Sequence, residues 1–350
     1  MAEIKEPIEG YGLSKKDGEK ALFSKIGVVG CGRDGRSIVN LTAQSGLEVV
    51  FIEISEDKIQ DALREIEHSL DTKIENWGLT QSEKRATMGR ITGSLDYADL
   101  KDCDFVIECI RYEANGERSI ALRKEVFRKL EEVLAPDAVI ATNATTVIIS
   151  ELSADLIHKD RCVSIHFPIP HSDARLLEIV KGIFTTSEVS EKVIRFAKLI
   201  KHIPVEVRES SGLVSMRLLV VMLNEACHIL MESLASLEDI DKEFTIIYGQ
   251  RYGIFELADL IGIEKIVMLM EDMFHEYGDK KYKASPILWR LYHSKQYGAK
   301  ERRGFYIYDE AGKQLGPNNL ILGLRPILPL LNKKIYETIS IQLRKFIQKI

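Results

Sequence analysis

The first half of the chain alternates between short apolar runs and longer stretches with helical spacing. Residues 25–30 form an apolar, partly β-branched run that stops at a glycine-rich loop. Residues 37–44 continue with helical spacing, and residues 48–53 form a second apolar run. The order strand, glycine loop, helix, strand is typical of two parallel strands joined by a crossover helix.

The same alternation continues along the next part of the chain. Residues 56–90 predict two helices joined near the sequence NWGLT, and Thr80 with Glu83 has the spacing of a capping box that starts the second helix. A further helix is predicted over residues 118–134. Strands are predicted at residues 104–108, 138–142, 162–166, 176–180 and 204–207. This alternation predicts an α/β sheet covered by helices on both faces.

From residue 211 onward the pattern becomes helical, and strand signals nearly disappear. Helices are predicted at residues 212–234, 239–248, 264–277 and 286–297. We therefore predict a mobile lead-in (1–24), a nucleotide-binding domain (25–209), a helical domain for substrate binding and dimerisation (210–315) and a basic C-terminal extension (316–350).

Composition narrows the class of protein. The 350 residues suffice for two domains, and a net charge of -5 at pH 7 gives no basic field for nucleic acid. Five cysteines without a CxxC pair indicate free thiols in a reducing compartment, and the N-terminus lacks the apolar core of an export signal. The most apolar long stretch, residues 216–231, contains Arg217, Asn224 and Glu225. We therefore expect a cytoplasmic protein with no membrane span and no nucleic-acid partner.

The loop GCGRDG carries the first candidate chemistry. Gly30, Gly32 and Gly35 have GxGxxG spacing after a strand and before a helix, which is the setting of a dinucleotide fingerprint. The first glycine permits the tight turn, the second lets the backbone approach a pyrophosphate, and the third lets helix and strand pack closely. We expect Arg33 and Asp34, inside this loop, to adjoin the cofactor as well. The predicted fold is a Rossmann-type doubly wound sheet followed by an all-helical C-terminal domain.

Glu53, at the end of the second predicted strand, indicates which dinucleotide is bound. Its carboxylate is placed to accept hydrogen bonds from an adenosine ribose, and it would repel a 2′-phosphate. The sequence therefore favours NAD over NADP as the cofactor.

The chain resembles the L-3-hydroxyacyl-CoA dehydrogenase family over residues 25–310, through an ordered series of segments. These are KIGVVGCGRDG, the hairpin with NWGLT, CDFVIEC, ATNATTV, HFPIP, LEIV, MRLL with LNEA, GIFELADLIGIE and RRGFYIY. The family's counterparts include Ser-Asn-Thr-Ser-Ser-Leu, His-Phe-Phe-Asn-Pro and Asn-Arg-Leu-Leu. The resemblance implies an NAD-dependent interconversion of 3-hydroxyacyl-CoA and 3-ketoacyl-CoA, with the NWGLT hairpin helping to hold the acyl-CoA.

The resemblance also implies catalytic residues. His166 lies where the family has its acid–base histidine, and Glu178 lies where the family has the glutamate that orients it. Thr145 falls at a serine that hydrogen-bonds the reacting oxygen in the family. Each residue has a structural alternative: a histidine that ends a buried strand, a glutamate on a strand surface, and a threonine that caps a turn.

Four further residues are expected near the nicotinamide by the same resemblance. Glu108 matches an acid at the end of a strand, and Asn143 matches the asparagine of the Ser-Asn-Thr-Ser-Ser-Leu segment. Lys300 aligns with a lysine near the family's active site. Glu113 is the best candidate for the family's second acid, although the chain is several residues longer there.

Two substitutions depart from the family pattern and suggest an atypical active site. Met216 occupies the position of the catalytic asparagine of Asn-Arg-Leu-Leu, and methionine has no hydrogen-bond donor. Ile169 replaces the asparagine of His-Phe-Phe-Asn-Pro. Two alternatives to the dehydrogenase therefore stay open. One is an NAD-binding homologue with weak or lost turnover and a regulatory role, and the other is a dehydrogenase of another hydroxy acid.

Two expectations concern assembly. By resemblance, the helical domain pairs with a second copy to form a homodimer. The basic extension from residue 316 has apolar residues with helical spacing from Ile335 to Ile350, which predicts an amphipathic helix packed on the body or on a second subunit. Binding of this helix to a membrane surface is the less favoured alternative.

Overall fold

The computed structural model describes residues 23–110, 120–168 and 175–318. Several predictions concern residues outside these ranges. They include the lead-in, the roles of Glu113 and Ile169, and the helix in the basic extension.

Within the described residues, eight strands form one sheet in the order β3-β2-β1-β4-β5-β6-β7-β8. The strands are β1 (Lys25–Val29), β2 (Glu48–Ile52), β3 (Ile91–Ser94), β4 (Phe105–Glu108), β5 (Val139–Thr142), β6 (Cys162–His166), β7 (Leu176–Lys181) and β8 (Ile203–Arg208). The pairs β1–β2, β1–β4, β2–β3, β4–β5 and β7–β8 are parallel, and β6–β7 is antiparallel. The sheet confirms the predicted fold class and adds the edge strand β3, which the pattern did not predict.

Eleven α-helices lie in the described part of the chain. They are α1 (Arg33–Gln44), α2 (Glu56–Glu75), α3 (Gln81–Met88), α4 (Ile120–Val133), α5 (Ile149–Ser153), α6 (Ser187–Leu199), α7 (Leu213–Met231), α8 (Leu237–Tyr248), α9 (Ile254–Ile261), α10 (Ile263–Tyr277) and α11 (Pro286–His293). The helical C-terminal part also carries a small antiparallel hairpin, β9 (Tyr306–Tyr308) with β10 (Gln314–Pro317). The capping box of Thr80 and Glu83 is present at the start of α3, as predicted.

The described residues divide into two compact units. The first holds residues up to Asn143 together with 152–163 and 183–202. The second holds residues 144–151 and 164–182 and those from Ile203 onward. Strands β7 and β8 therefore group with the helical part, and the boundary near residue 209 stays a prediction.

The first unit is organised by its central strands. Strands β4 and β5 are buried along their whole lengths, which explains why both appear as continuous apolar runs rather than alternating patterns. Phe196 packs edge to face against both Phe23 and Phe105, with ring centroids 4.9 Å apart for the pair with Phe105. Helix α6 thus covers the sheet near the start of β4.

The second unit has a helical core formed by α7, α9, α10 and α11. Val220, Leu223 and Cys227 of α7 are fully buried in this core. Helix α7 is long and apolar enough to cross a membrane by length and composition, and 44% of its most apolar window is buried. One such helix is weak evidence for a membrane span, because core helices pass the same test.

A buried carboxylate holds the β9–β10 hairpin to α9. Asp259 accepts hydrogen bonds from the backbone N–H groups of Phe305 (2.8 Å) and Tyr306 (2.9 Å) and from the hydroxyl of Tyr308 (3.0 Å). A Cβ atom on Gly304 would overlap this carboxylate, so glycine is required there. Burial raises the pKa of Asp259 to about 7, against the opposing effect of these hydrogen bonds.

This raised pKa predicts a specific pH dependence of stability. The folded protein binds the Asp259 proton more tightly than the unfolded chain, whose carboxyl titrates near 3.8. The contribution of Asp259 to the free energy of unfolding should therefore increase as the pH falls below 7, by about 1.4 kcal/mol per pH unit. Urea unfolding of the wild type and Asp259→Asn at pH 8 and pH 5.5 measures this contribution. The free energy of unfolding of the wild type minus that of Asp259→Asn should be larger at pH 5.5 than at pH 8. A difference that is equal or smaller at pH 5.5 contradicts the raised pKa.

Candidate functional site

The glycine loop after β1 has a backbone that side chains disfavour. Gly30 has φ +88°, and a Cβ atom there would lie 3.1 Å from Cγ1 of Ile110. A Cβ atom on Gly35 would overlap the carbonyl oxygen of Gly30, so the start of α1 packs directly on the loop. Both glycines thus have the local roles predicted from the spacing.

Gly32 differs from its two neighbours in the motif. It is the N-cap of α1, with no side chain that caps the helix, and a Cβ atom there would meet nothing within 4 Å. Open space at a helix N-terminus suits a pyrophosphate, since the helix dipole and backbone amides favour anions. Arg33 and Asp34 begin the helix and form an ion pair of 3.5 Å at the surface.

Glu53 lies beside this loop. Its carboxylate accepts hydrogen bonds from the backbone N–H of Cys31 (2.6 Å) and from that of Ile54 (3.2 Å). The acid is thus held at the end of β2, next to the glycine loop. Its contact with an adenosine ribose stays a prediction.

Glu108, at the end of β4, is fully buried and paired. One carboxylate oxygen accepts from the backbone N–H of Ile110 (2.5 Å). The other accepts from the guanidinium of Arg123 (2.6 Å) and from the hydroxyl of Thr142 (2.6 Å). Sequence reasoning missed Arg123, on helix α4, and Thr142, at the end of β5. The pair fixes the ends of β4 and β5, and the role of Glu108 towards the nicotinamide stays a prediction.

Asn143 follows β5 directly. Its backbone N–H donates to the carbonyl of Glu108 (2.8 Å). Its side-chain oxygen Oδ1 is buried and has no hydrogen-bond partner in the described part of the chain. A buried acceptor without a partner costs free energy, so this oxygen suits an amide donor of a bound ligand, such as the carboxamide of nicotinamide.

His166 and Glu178 form the closest pair of predicted site residues. They face each other in the antiparallel register of β6 and β7, with Nδ1 of His166 2.7 Å from Oε2 of Glu178. Both side chains are buried, at 3% and 2% exposure. Burial raises the pKa of Glu178, but the bond and charge of His166 and two bonds from Ser215 outweigh it and hold the pKa below its ordinary value. His166 thus lies beside a carboxylate that is ionised.

Ser215 in the first turn of α7 completes this cluster and was missed from the sequence. Its backbone N–H donates to Oε1 of Glu178 (3.0 Å) and its hydroxyl donates to Oε2 (2.8 Å). The available signal was one serine in the apolar sequence LVSMRLLVVML. Met216, the next residue, is only 4% exposed and belongs to the apolar core of the helical part.

Two other predicted residues, Thr145 and Lys300, make no hydrogen bond to this cluster within the described residues. The carbonyl of Thr145 accepts from the N–H of Gly212 (3.0 Å), and the Thr145 hydroxyl makes no hydrogen bond to any residue that the structure describes. The side chain of Lys300 is 81% exposed and lies 3.9 Å from the acid of Glu301. The role of Lys300 near the active site therefore stays a prediction.

These features define a class of protein. A parallel sheet with a glycine loop and an acid at the end of β2 is a dinucleotide-binding unit. A buried histidine beside an ionised carboxylate is an arrangement that general acid–base catalysis uses. Together they indicate a nicotinamide-dependent oxidoreductase.

Comparison with known proteins gives the family. The model of the 3-hydroxyacyl-CoA dehydrogenase NAD-binding domain matches residues 25–210, and the model of the C-terminal domain of the same enzymes matches residues 212–308. The chain belongs to the 3-hydroxyacyl-CoA dehydrogenase family. It is an NAD-dependent dehydrogenase that interconverts 3-hydroxyacyl-CoA and 3-ketoacyl-CoA.

Individual relatives agree with this assignment. A 3-hydroxybutyryl-CoA dehydrogenase of Clostridioides difficile is 30% identical over 286 residues, which are 82% of this chain and 100% of the relative. The crystal structure of M. tuberculosis FadB2 has a TM-score of 0.77 at 29% identity and covers 82% of this chain and 99% of that chain. The crystal structure of (S)-3-hydroxybutyryl-CoA dehydrogenase PaaH1 from Ralstonia eutropha has a TM-score of 0.73 at 30% identity. The match covers 82% of this chain and 100% of that chain.

Glu53 predicts a preference between the two nicotinamide cofactors. Two negative charges about 4 Å apart near a protein surface repel by roughly 1–4 kcal/mol, so we expect NADH to bind at least about fivefold more tightly than NADPH. Glu53→Gln should narrow this ratio. Asp57→Asn, at an exposed acid on α2, is the matched control and should leave the ratio unchanged. Isothermal titration measures both affinities, and equal or tighter NADPH binding by the wild type would contradict the role of Glu53.

Proposed function

We propose that His166 is the general acid–base of the reaction and that Glu178 orients it. The observation that carries this proposal is the 2.7 Å bond between Nδ1 of His166 and Oε2 of Glu178, both buried. Because this bond engages Nδ1, we assign proton transfer with the substrate to Nε2. In the oxidation direction His166 takes the proton of the substrate's 3-hydroxyl, and the ionised Glu178 stabilises the resulting imidazolium.

NAD supplies the hydride acceptor when it is bound. We propose that the glycine loop holds its pyrophosphate at Gly32 and that Glu53 binds its adenosine ribose. The oxygen Oδ1 of Asn143, which lacks a partner among the described residues, would accept from the nicotinamide carboxamide. The Thr145 hydroxyl, which is uncommitted in the described part of the chain, would donate to the reacting oxygen of the substrate.

The α2–α3 hairpin supports an acyl-CoA substrate. Trp77 at its turn is 97% exposed, and it borders a groove of about 570 Å³ with Ile74, Leu79 and Glu83. An exposed indole beside a groove suits stacking of a planar base such as adenine. Since the relatives reported above include 3-hydroxybutyryl-CoA dehydrogenases, acetoacetyl-CoA is the substrate to test first.

One observation favours the alternative of weak or lost turnover. Met216 packs in the apolar core and offers no donor to a substrate oxygen. The loss of one such donor typically costs on the order of 100- to 1000-fold in turnover. The retained pair of His166 and Glu178 argues against complete loss.

The test is reduction of acetoacetyl-CoA with NADH, monitored by the absorbance of NADH. A panel of free keto acids is assayed in parallel. We expect turnover of acetoacetyl-CoA, and a fall in kcat of about 100-fold or more in His166→Ala, because general acid–base catalysis contributes that much. The affinity for NADH should not change. His158→Ala, at an exposed histidine, is the matched control.

Other outcomes have distinct meanings. Near-normal turnover in His166→Ala would make His166 a structural residue. Turnover of a free keto acid alone would favour a dehydrogenase of another hydroxy acid. NADH binding without turnover of any substrate would favour the NAD-binding homologue.

We propose a homodimer formed through the helical domain. Val214, Leu218 and Met222 recur every four residues on α7 and are 51%, 62% and 46% exposed. At the end of α8, Ile246 and Ile247 are 70% and 66% exposed. Neighbouring exposed apolar side chains of this kind are typical of a protein interface.

Sedimentation analysis tests the homodimer. The wild type should sediment as a dimer, and Leu218→Glu should shift it towards monomer because a charge would be buried in the interface. Ile183→Glu, at an apolar residue 78% exposed in the first unit, should remain a dimer. A monomeric wild type, or an unchanged Leu218→Glu dimer, contradicts this interface.

We place the protein in the cytoplasm. All five cysteines are free thiols, and burial raises the pKa of Cys103, Cys162 and Cys227 to about 12. Buried thiols that remain protonated suit a reducing compartment. Fractionation of cells that produce the protein tests this location.

A further inference from the structure

Ser215 makes two separate hydrogen bonds to one carboxylate. Its backbone N–H donates to Oε1 of Glu178 and its hydroxyl donates to Oε2. The second oxygen is also the one that contacts His166, and the Ser215 hydroxyl lies 3.4 Å from Nδ1 of that ring. The carboxylate therefore has a bond from α7 at each oxygen, and its orientation relative to His166 is fixed.

The position of Ser215 in its helix explains why the carboxylate is stable there. Helix α7 begins at Leu213, and its N-cap, Gly212, has no side chain to cap it. Ser215 is the third residue of the helix, where a backbone N–H lacks a partner within the helix. Glu178 from β7 supplies the missing acceptor, and its negative charge lies at the positive end of the helix dipole.

The side chains of Met216 and Ser215 point in different directions from the start of α7. Consecutive residues on a helix point about 100° apart, so one joins the core while the other faces a different side. Met216 is buried among apolar side chains, and Ser215 contacts Glu178. The polar contact from α7 to the acid–base pair is thus made by Ser215.

We propose that Ser215 is a positioning residue of the acid–base pair, which acts by sharing the negative charge of Glu178 and so setting how strongly Glu178 attracts the proton on His166. This proposal rests on the catalytic roles proposed above for His166 and Glu178. Ser215 acts through Glu178 and is not assigned a contact with substrate.

The direction of the effect follows from the charge distribution. A carboxylate that accepts a hydroxyl hydrogen bond has less charge available to stabilise an adjacent imidazolium. The groups that act on the pKa of Glu178 are His166 on β6 and Ser215 on α7, besides burial itself. From β8, the residue in register with Glu178 is the uncharged Val205. Removal of the Ser215 hydroxyl should therefore increase the attraction between Glu178 and protonated His166.

The experiment is the pH dependence of kcat for oxidation of 3-hydroxybutyryl-CoA, which requires neutral His166. In Ser215→Ala the acid limb should move up by about half a pH unit or more, because a hydrogen bond to a charged group is lost. Ser215→Thr keeps the hydroxyl and should restore the wild-type limb. Ser187→Ala, at an exposed serine in the first turn of α6, is the matched control. The KM for NAD should not change.

A second variant keeps the outcome decisive. If Ser215→Ala fails to fold, Ser215→Cys has a similar volume and a weaker donor, and it should give a smaller shift in the same direction. A wild-type acid limb in the folded Ala or Cys variant overturns the proposal. A fall in kcat that is uniform over pH overturns it too, because that result indicates a merely structural role.

An NMR titration of the His166 ring separates this proposal from the proposed function. The midpoint of His166 should rise in Ser215→Ala whether or not the enzyme turns over. If it rises while His166→Ala retains turnover, the contact is correct and the catalytic role of His166 is wrong. If it does not rise, the positioning role of Ser215 is wrong.

Discussion

The buried carboxylate of Glu178 is the constraint on which the acid–base cluster depends. Burial of an ionised carboxylate costs several kcal/mol of solvation unless protein groups replace the hydrogen bonds from water. Here the replacing groups are His166 on β6 and the hydroxyl and backbone N–H of Ser215 in the first turn of α7. One side chain thus joins two strands and a helix of the second unit, so a change in any of them alters the geometry at His166.

Two other buried acids, Glu108 and Asp259, are stabilised in different ways. Glu108 is neutralised by the guanidinium of Arg123, and the pair fixes the strand ends beside the glycine loop. Asp259 has no cation among its described partners, and burial raises its pKa towards neutrality. Glu178 differs from both, because its partner is a histidine and its pKa is held below the ordinary value.

The sequence predicted the regular elements well where they were long or strongly patterned. The β1–α1–β2 unit, the α2–α3 hairpin with its capping box, and strands β4 to β8 follow from periodicity and capping residues. The missed elements are β3, α5, α6, α9 and the β9–β10 hairpin. Most of these are only three to eight residues long, and the two-residue β-period or the helical period cannot be recognised in so short a segment.

The site was predicted less completely than the fold. The resemblance placed His166 and Glu178, and the antiparallel register of β6 and β7 then brings them face to face. Arg123 and Ser215 were not predicted, since each binds an acid that is distant in sequence and the pairing exists only after folding. Met216 was recognised as a departure, but its place in the apolar core depends on how α7 packs.

The central claim is that an ionised Glu178 makes His166 an effective acid–base group. The most direct test is kcat for acetoacetyl-CoA reduction in Glu178→Gln beside the wild type, with NADH affinity measured on the same samples. Glutamine keeps the shape but removes the charge that stabilises the imidazolium. The account predicts a fall in kcat of about 100-fold or more with unchanged NADH affinity. A folded Glu178→Gln enzyme with wild-type kcat would contradict it.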